Sequence, residues 1–533
     1  MGRFLKKKYR SFERLSIVVI LLAGILTVSS LSNPLHGFAQ TKTQFQQPDG
    51  EKIKQILAHF EEYAEKGMKE RGIPGMAIAI VQGDKIIYKK AFGVKKIGGN
   101  DPVTERTIFQ IGSTSKAFTS ALLAMLVDEG KFHWDDRVID NLPDFRMYDP
   151  WVTREFRVKD LMAQHSGMPS HSGDDQSFLG FGREHIIRSI RYIKPVSSFR
   201  LEYAYQNNLF LVAAKLARKY TGKSWEENIK ERILLPLDMS ESTMDSKSFL
   251  EAEDVVYSHK KTGGKVISLP MERPYFEWTY IYGPAGGINS NIIDMAKWLR
   301  MQLNGGVFNS KRLVSEKNME FMHSPKTIMV REKNQPMQYY CQAWIYREYN
   351  PYPIIWHNGG TLGINTMVAL VPEAKVGIVV LANMTDAFPL SDQLAYRFFD
   401  MYFDKPARDW NAEAIVQAAK LEGKSMEKTP KRPSPVTPAM PLADYTGDYR
   451  SDMFGKITVS EKNASLCITI GPENVKFPLQ HWSGNVFSVA TPGFIIADEK
   501  FASFQVGPDG KASEVTIAFL NGCGCGIFRR VNK

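Results

Sequence analysis

Cysteine is scarce, with four in 533 residues. Small disulfide-stapled scaffolds need a dense cysteine framework, so that class is excluded. The ten histidines form no HExxH string and no paired Cys/His spacing. No zinc site is legible, and neither a metal nor a cofactor is expected. There is no GxSxG, which removes the nucleophile elbow of the α/β-hydrolases. Beyond residue 31 no apolar run is long enough to span a bilayer, and residues 50–405 contain no internal repeat. Basic charge is also thinner than it looks. Of the net +11, +5 sits in residues 1–39, leaving a mild excess that any folded domain can carry. Nucleic acid is therefore not an expected partner.

What is present is core material: 43% of residues are hydrophobic and 11% aromatic, which excludes a wholly disordered or collagen-like chain. The N-terminus carries Arg3, Lys6, Lys7, Lys8, Arg10 and Arg14, then an apolar run from Leu15 to Leu31, then small residues at Gly37 and Ala39. Basic, apolar, small is the order of a secretory signal peptide, so residues 1–39 are expected to be removed and the protein exported, to a periplasm or the cell exterior. An uncleaved anchor helix is the alternative, and a membrane is a partner only in that case.

Residues 40–405 read as one domain of mixed helices and strands. Lys52–Arg71 has apolar residues at 3–4 spacing and predicts an amphipathic helix. Met76–Val81 and Lys85–Phe92 predict a hairpin about Gln82-Gly83-Asp84. Ser113–Glu129 and Asn208–Tyr220 read as helices, with Ser224 and Glu227 forming a capping box before the next. Ile354–Trp356, Thr366–Val371 and Val376–Leu381 return to strands. An early hairpin and a late strand group, interrupted by helices, imply one sheet built from both chain ends with helices packed on it, an α+β fold. Residues 406–441 are a helical and Pro-rich linker, with five prolines between Pro430 and Pro441. Residues 442–533 hold short β-runs at Lys456–Ser460, Leu466–Ile470, Val486–Ala490, Phe494–Ala497, Glu514–Phe519 and Ile527–Val531, a small all-β barrel or sandwich. Cys523 and Cys525 are expected as strand residues with both thiols on one face, or as a disulfide to Cys467, rather than as a redox pair.

Three strings carry chemistry. Ser113 and Lys116 form an SxxK at a helix start, which puts them on one face a turn apart. Serine needs a neighbouring base, and a lysine in a dry pocket can lose its charge and serve as one. The other SxxK strings, Ser258–Lys261 and Ser425–Lys428, lie in polar, loop-like text. Tyr205-Gln206-Asn207 is the only YxN. Alone it reads as an ordinary buried tyrosine; beside a serine, the phenol can relay a proton, its phenolate favoured by the lysine, and the amide can orient lysine and substrate. His357-Asn358-Gly359-Gly360 follows an apolar strand, unlike the HxG strings at His165 and His171, and its glycines permit close approach of a substrate backbone.

SxxK, YxN and HxG in this order resemble the serine hydrolases related to class C β-lactamases and D-alanyl-D-alanine carboxypeptidases. Leu161–Pro169, Gly283–Leu299 and His357–Asn365 look like the same family, and the tail from Leu442 resembles a small lipocalin-like barrel appended to many members. The resemblance implies a β-lactamase/transpeptidase-like antiparallel sheet flanked by helices. It implies Ser113 as acylated nucleophile, Lys116 as proton acceptor and Tyr205 as acid/base partner. Asn207, His357 and Gly359 would bind substrate, and the N–H groups of Ser113 and Gly360 would form an oxyanion hole. His357 stands where class C β-lactamases have lysine, and bulkier residues at Tyr340–Trp344 replace glycines found in relatives. The expected activity is that of a D-amino-acid peptidase, carboxypeptidase or esterase. A β-lactamase and a penicillin-binding sensor with slow deacylation stand as alternatives. The partner is a small-molecule, peptide or ester substrate, peptidoglycan-derived material among the candidates; oligomeric state is not legible.

Overall fold

An eight-stranded antiparallel sheet, with strands between residues 75 and 382, organises the larger part of the described chain. In the computed structural model the described residues are 47–271, 276–330, 335–427, 430–491 and 500–531. The expected signal peptide and the strand expected at Phe494–Ala497 lie outside them. Among the described residues no helix is long and apolar enough to cross a membrane.

The strands are Gly75–Gln82 (β1), Lys85–Gly93 (β2), Thr327–Val330 (β3), Gln338–Tyr340 (β4), Ile345–Arg347 (β5), Ile354–Thr361 (β6), Ile364–Val371 (β7) and Val376–Ala382 (β8). Their order in space is β2-β1-β8-β7-β6-β5-β4-β3, with β1 paired to β8 from Met76↔Ala382 to Gln82↔Val376. Both chain ends therefore contribute to one sheet, as the strand spacing implied. Every residue of β7 and β8 is buried, because helices cover both faces.

On one face lie the helices Gly50–Arg71 and Leu390–Tyr402, joined by an edge-on contact of Phe60 with Phe398 at 5.7 Å. The Gly50–Arg71 helix is capped by Asp49, whose carboxylate accepts from Lys52 N, and it ends at Gly72 in the left-handed region. The helix Ile292–Leu303 packs on the other face, capped by Asn291. The Ser224–Glu227 capping box forms as the sequence predicts.

Residues 430–441 have no regular secondary structure and run along the second β-unit, where Arg432 donates to Trp482 O at 3.0 Å and His481 O at 3.1 Å. That unit is a closed antiparallel barrel of eight strands: Gly447–Ser451, Gly455–Lys462, Ser465–Ile470, Val475–Ser483, Val486–Val489, Phe501–Val506, Ala512–Ile517 and Ile527–Arg530. Tyr445, Tyr449, Phe487 and Phe504 fill its interior. Phe454 meets Phe181 of the first unit at 6.5 Å, and Met453 O accepts from His185 Nε2 at 2.9 Å. One buried apolar cluster runs through both units.

The cysteine expectation is corrected. Cys523 and Cys525 sit in a turn between the short helix Ala518–Leu520 and the last strand, and all four cysteines are free. Gly522, Gly524 and Gly526 interrupt the segment, and Gly524 has φ +73°, which a continuous strand does not accommodate.

Candidate active site

Ser113 belongs to a single 3-10 turn, Gly112–Thr114, that leads directly into the buried helix Ser115–Asp128. Gly112 has φ +53°, and a Cβ there would lie 2.8 Å from Gly360 N. A Cβ on Gly359 would lie 2.1 Å from Ile111 O and 3.0 Å from Ser113 N. Only glycines on both segments allow strand β6 to run this close to the serine turn.

The two-residue turn Leu362-Gly363 makes Thr361 and Ile364 the closing pair of the β6–β7 hairpin. Alternation of the antiparallel ladder then leaves Gly360 outside it, its N–H aimed to the side where β5 has already ended. The N–H groups of Ser113 and Gly360 thus lie at one place, on two segments in contact.

Lys116 is fully buried, and its Nζ has three neighbours: Asn207 Oδ1 at 2.6 Å, Ala285 O at 2.8 Å and Ser113 Oγ at 3.2 Å. Burial lowers its pKa to about 7, against a smaller opposing pull from Asp174. A neutral amine has two N–H bonds and one lone pair. The two carbonyl oxygens take the N–H bonds, which leaves the lone pair for the serine hydroxyl. Such an amine can accept the serine proton.

Tyr205 precedes the helix Asn208–Thr221 and hydrogen-bonds Ser113, with Lys116 Nζ 4.7 Å from its ring centroid. Burial pushes the phenol well above its ordinary pKa, and the hydrogen bond with Ser113 offsets only part of this. The expected phenolate is therefore corrected: desolvation outweighs the lysine, and Tyr205 is a phenol, a proton donor.

His357 is 1% exposed, and both ring nitrogens are occupied. Nδ1 lies 2.6 Å from Asn358 O, which can only accept, so Nδ1 carries the proton. Nε2 then accepts from Tyr340 Oη at 2.9 Å. Burial, with Lys116 nearby, lowers the imidazole pKa to about 3, so the ring is neutral. It supplies no cation to the cleft. Ala343 adopts φ +63°, a conformation that favours glycine.

The structure thus gathers Ser113, Lys116, Tyr205, Asn207, His357, Gly359 and Gly360 at one place. Of the competing strings, the one at His171 lies in the loop packed against Tyr205, and the others fall elsewhere. His165 is spent on Asp160 and Thr327, each at 2.9 Å, and Lys261 is exposed on a small three-stranded sheet. Ser425–Lys428 lies outside the residues whose side chains are described.

Sequence reading missed the loop that holds the second motif. Gln164 exchanges hydrogen bonds with the Gln206 backbone at 2.7 and 3.0 Å, His171 N donates to Tyr205 O at 2.7 Å, and Asn208 Nδ2 donates to Ser172 O at 3.0 Å. Asp174 Oδ2 accepts from Asn207 Nδ2 at 2.7 Å. The only sequence signal was the framing stretch Leu161–Pro169, which stops short of the aspartate. No group of His, Cys, Asp and Glu among the described residues could hold a metal ion.

A β-lactamase family model matches residues 60–397, and a domain of unknown function, DUF3471, matches residues 431–522. The chain is 30% identical over 488 residues to the unguisins hydrolase ungD' of Aspergillus campestris, covering 86% of this chain and 88% of that protein. It is 26% identical over 332 residues to penicillin-binding protein 4 of Amycolatopsis lactamdurans, covering 61% of this chain and 85% of that protein. Among solved structures, the octameric penicillin-binding protein homologue from Pyrococcus abyssi shares the fold, with a TM-score of 0.57 at 21% identity over 89% of this chain and 100% of that one.

Proposed function

The chain belongs to the β-lactamase family of serine hydrolases, and from that premise we propose that it is an exported enzyme working through an acyl-enzyme on Ser113, with an ester or a D-amino-acid amide as acyl donor. The observation that carries this reading is the buried Lys116 amine, 3.2 Å from Ser113 Oγ with its two N–H bonds committed elsewhere. Export rests on the order of charge, apolar run and small residues in 1–39.

In this reading Lys116 Nζ takes the Ser113 proton as Oγ bonds to the substrate carbonyl carbon. The carbonyl π electrons move to oxygen, where the N–H groups of Ser113 and Gly360 stabilise the charge. The tetrahedral intermediate collapses by expelling the leaving group, which takes the Tyr205 hydroxyl proton as its bond to carbon breaks; the Lys116 ammonium then returns a proton to Tyr205. Water repeats the sequence on the acyl-enzyme, releasing the acid and restoring Ser113. Asn207 orients both the lysine and the substrate amide. The neutral His357 favours substrates without a carboxylate at that position, which places esters and amides ahead of penicillins.

The test is intact mass of the 40–533 protein after exposure to p-nitrophenyl esters, D-alanyl amides and benzylpenicillin, with Ser113→Ala alongside and turnover followed by absorbance and amine release. Turnover or an adduct that vanishes in Ser113→Ala, at unchanged melting temperature, is the expected result. Ordinary turnover in that variant would sink the assignment.

A further inference from the structure

Asn207 is an amide with two different ends, and something must decide which end faces the lysine. Its Oδ1 lies 2.6 Å from Lys116 Nζ while its Nδ2 donates to Asp174 Oδ2 at 2.7 Å. A carboxylate can only accept hydrogen bonds, so the Asp174 contact dictates the amide orientation. Rotated by half a turn, Asn207 would turn a carbonyl oxygen onto a carboxylate, a repulsive contact, and its N–H would compete with the serine hydroxyl for the Lys116 lone pair. The same Asp174 oxygen lies 2.9 Å from His171 Nδ1, and the His171 backbone N–H is tied to Tyr205 O at 2.7 Å. The aspartate is therefore held by the loop that clasps the YxN segment, not by the lysine it serves.

Charge points the same way. Beyond His171, which bonds Asp174 directly, and Tyr203 and Cys523 further out, the titratable groups around this cluster are Tyr205, Tyr282 from the turn that supplies Ala285, Asp175 beside Asp174, and His357 from β6. Burial raises both phenols and the Asp175 carboxyl, and lowers His357, so each is held in its neutral form. Tyr282 donates to Gly173 O at 2.8 Å and closes the loop from that side. Asp174 is the acidic group that acts on Lys116 through space, and its effect is to favour the ammonium.

We propose that Asp174 is a positioning residue for the Ser113–Lys116 pair, fixing the Asn207 amide with its oxygen toward the lysine and serving as counter-charge to the ammonium that forms when Ser113 is deprotonated. This rests on the reading of Lys116 as proton acceptor. Without the carboxylate, the buried ammonium loses the charge that stabilises it, and Asn207 loses the contact that orders it. The two losses separate in two substitutions. Asp174→Asn keeps an oxygen for Asn207 Nδ2 and removes the charge. Asp174→Ala removes both.

The experiment measures the rate of Ser113 labelling by a fluorophosphonate, by intact mass, from pH 5 to 9 in the 40–533 protein. The expected wild-type midpoint is close to the Lys116 value of about 7. Asp174→Asn should move that midpoint at least half a unit to lower pH while keeping the plateau rate within about threefold. Asp174→Ala should lower the plateau at least tenfold as well. Asp174→Ser, smaller than aspartate and able to accept from Asn207, carries the same midpoint expectation if the asparagine variant does not fold. Melting temperatures separate a folding defect from the pH effect. Coincident midpoints in wild type and the charge-removing variants overturn the role of Asp174 while leaving Ser113 and Lys116 in place. Absence of Ser113 labelling in the wild-type protein overturns both readings.

Discussion

Tyr340 Oη donates to His357 Nε2 across 2.9 Å, inside a pocket that leaves the imidazole 1% exposed. The residue that resembles the third motif of a penicillin-recognising site is therefore a neutral imidazole with both ring nitrogens already engaged. A carboxylate entering the cleft finds no cation there.

His357→Lys is expected to change the preference of the enzyme. A charged donor to a carboxylate contributes about 1.5–3 kcal/mol, so acylation by benzylpenicillin should rise roughly tenfold or more relative to a neutral ester. The ratio of the two acylation rates, measured on the same preparation, is the readout. An unchanged ratio would show that carboxylate selection lies elsewhere.

If Lys116 is the proton acceptor, the pH dependence follows from it. Only its neutral form accepts a proton, so kcat/KM should climb about tenfold per unit below about 7 and level off above it. Tyr205 remains protonated throughout, so no falling limb from the phenol is expected up to pH 9. The stability effect has a defined sign. Between about 7 in the folded protein and 10.5 in the unfolded chain, the unfolded lysine holds a proton that the folded one does not. In that window this group makes unfolding harder as pH rises, and below it the contribution is gone. Urea midpoints at pH 6, 7.5 and 9, compared with Lys116→Met, isolate it.

Gly359→Ala tests the approach of β6 to the serine turn. Its new methyl would meet Ile111 O at 2.1 Å, and backbone cannot step aside as a flexible side chain can. A cost of about 1–3 kcal/mol is expected, together with loss of Ser113 labelling. Full labelling at wild-type stability would mean the two segments are less tightly joined than this geometry requires.

Phe454→Ala tests whether barrel and sheet unfold as one. Phe454 is buried against Phe181, and the apolar cluster is continuous across the two units. Truncation of a buried phenylalanine costs about 3–5 kcal/mol. Calorimetry should show a single transition moved to lower temperature. Two separate transitions, with only the later residues affected, would establish independent folding.

Much of the fold was legible because its signals are local. The periodic apolar residues of the Gly50–Arg71 helix, the capping box at Ser224 and the hairpin about Gly83 each occupy one short window. The barrel was harder to read. The strand Val475–Ser483 is amphipathic, with Phe477 and Leu479 buried and Lys476, Pro478 and Gln480 exposed in alternation with them. Gly447–Ser451 buries only Tyr449 among apolar side chains, and Phe501–Val506 buries Ala502 and Phe504 while leaving the apolar Val506 exposed, so neither alternates cleanly. Their pairing, which makes them strands, is decided by neighbours elsewhere in the chain.

The candidate site divides in the same way. Ser113 and Lys116 are a turn apart on one helix start, so chain geometry alone puts their side chains on one face. Tyr205 and Asn207 are bound to each other by two peptide bonds and needed only a reason to meet the serine. The sequence by itself determined these residue types and their spacing. Tertiary structure decided the charge states, because those depend on what surrounds each group. Sealing Lys116 under Ala285 and Asn207 lowers its pKa, packing Tyr340 onto His357 fixes the imidazole as neutral, and Asp174, thirty-three residues before Asn207 in the chain, reaches its amide only through the folded loop. Desolvation and hydrogen bonding act through space, and no local window of sequence contains the partners that impose them.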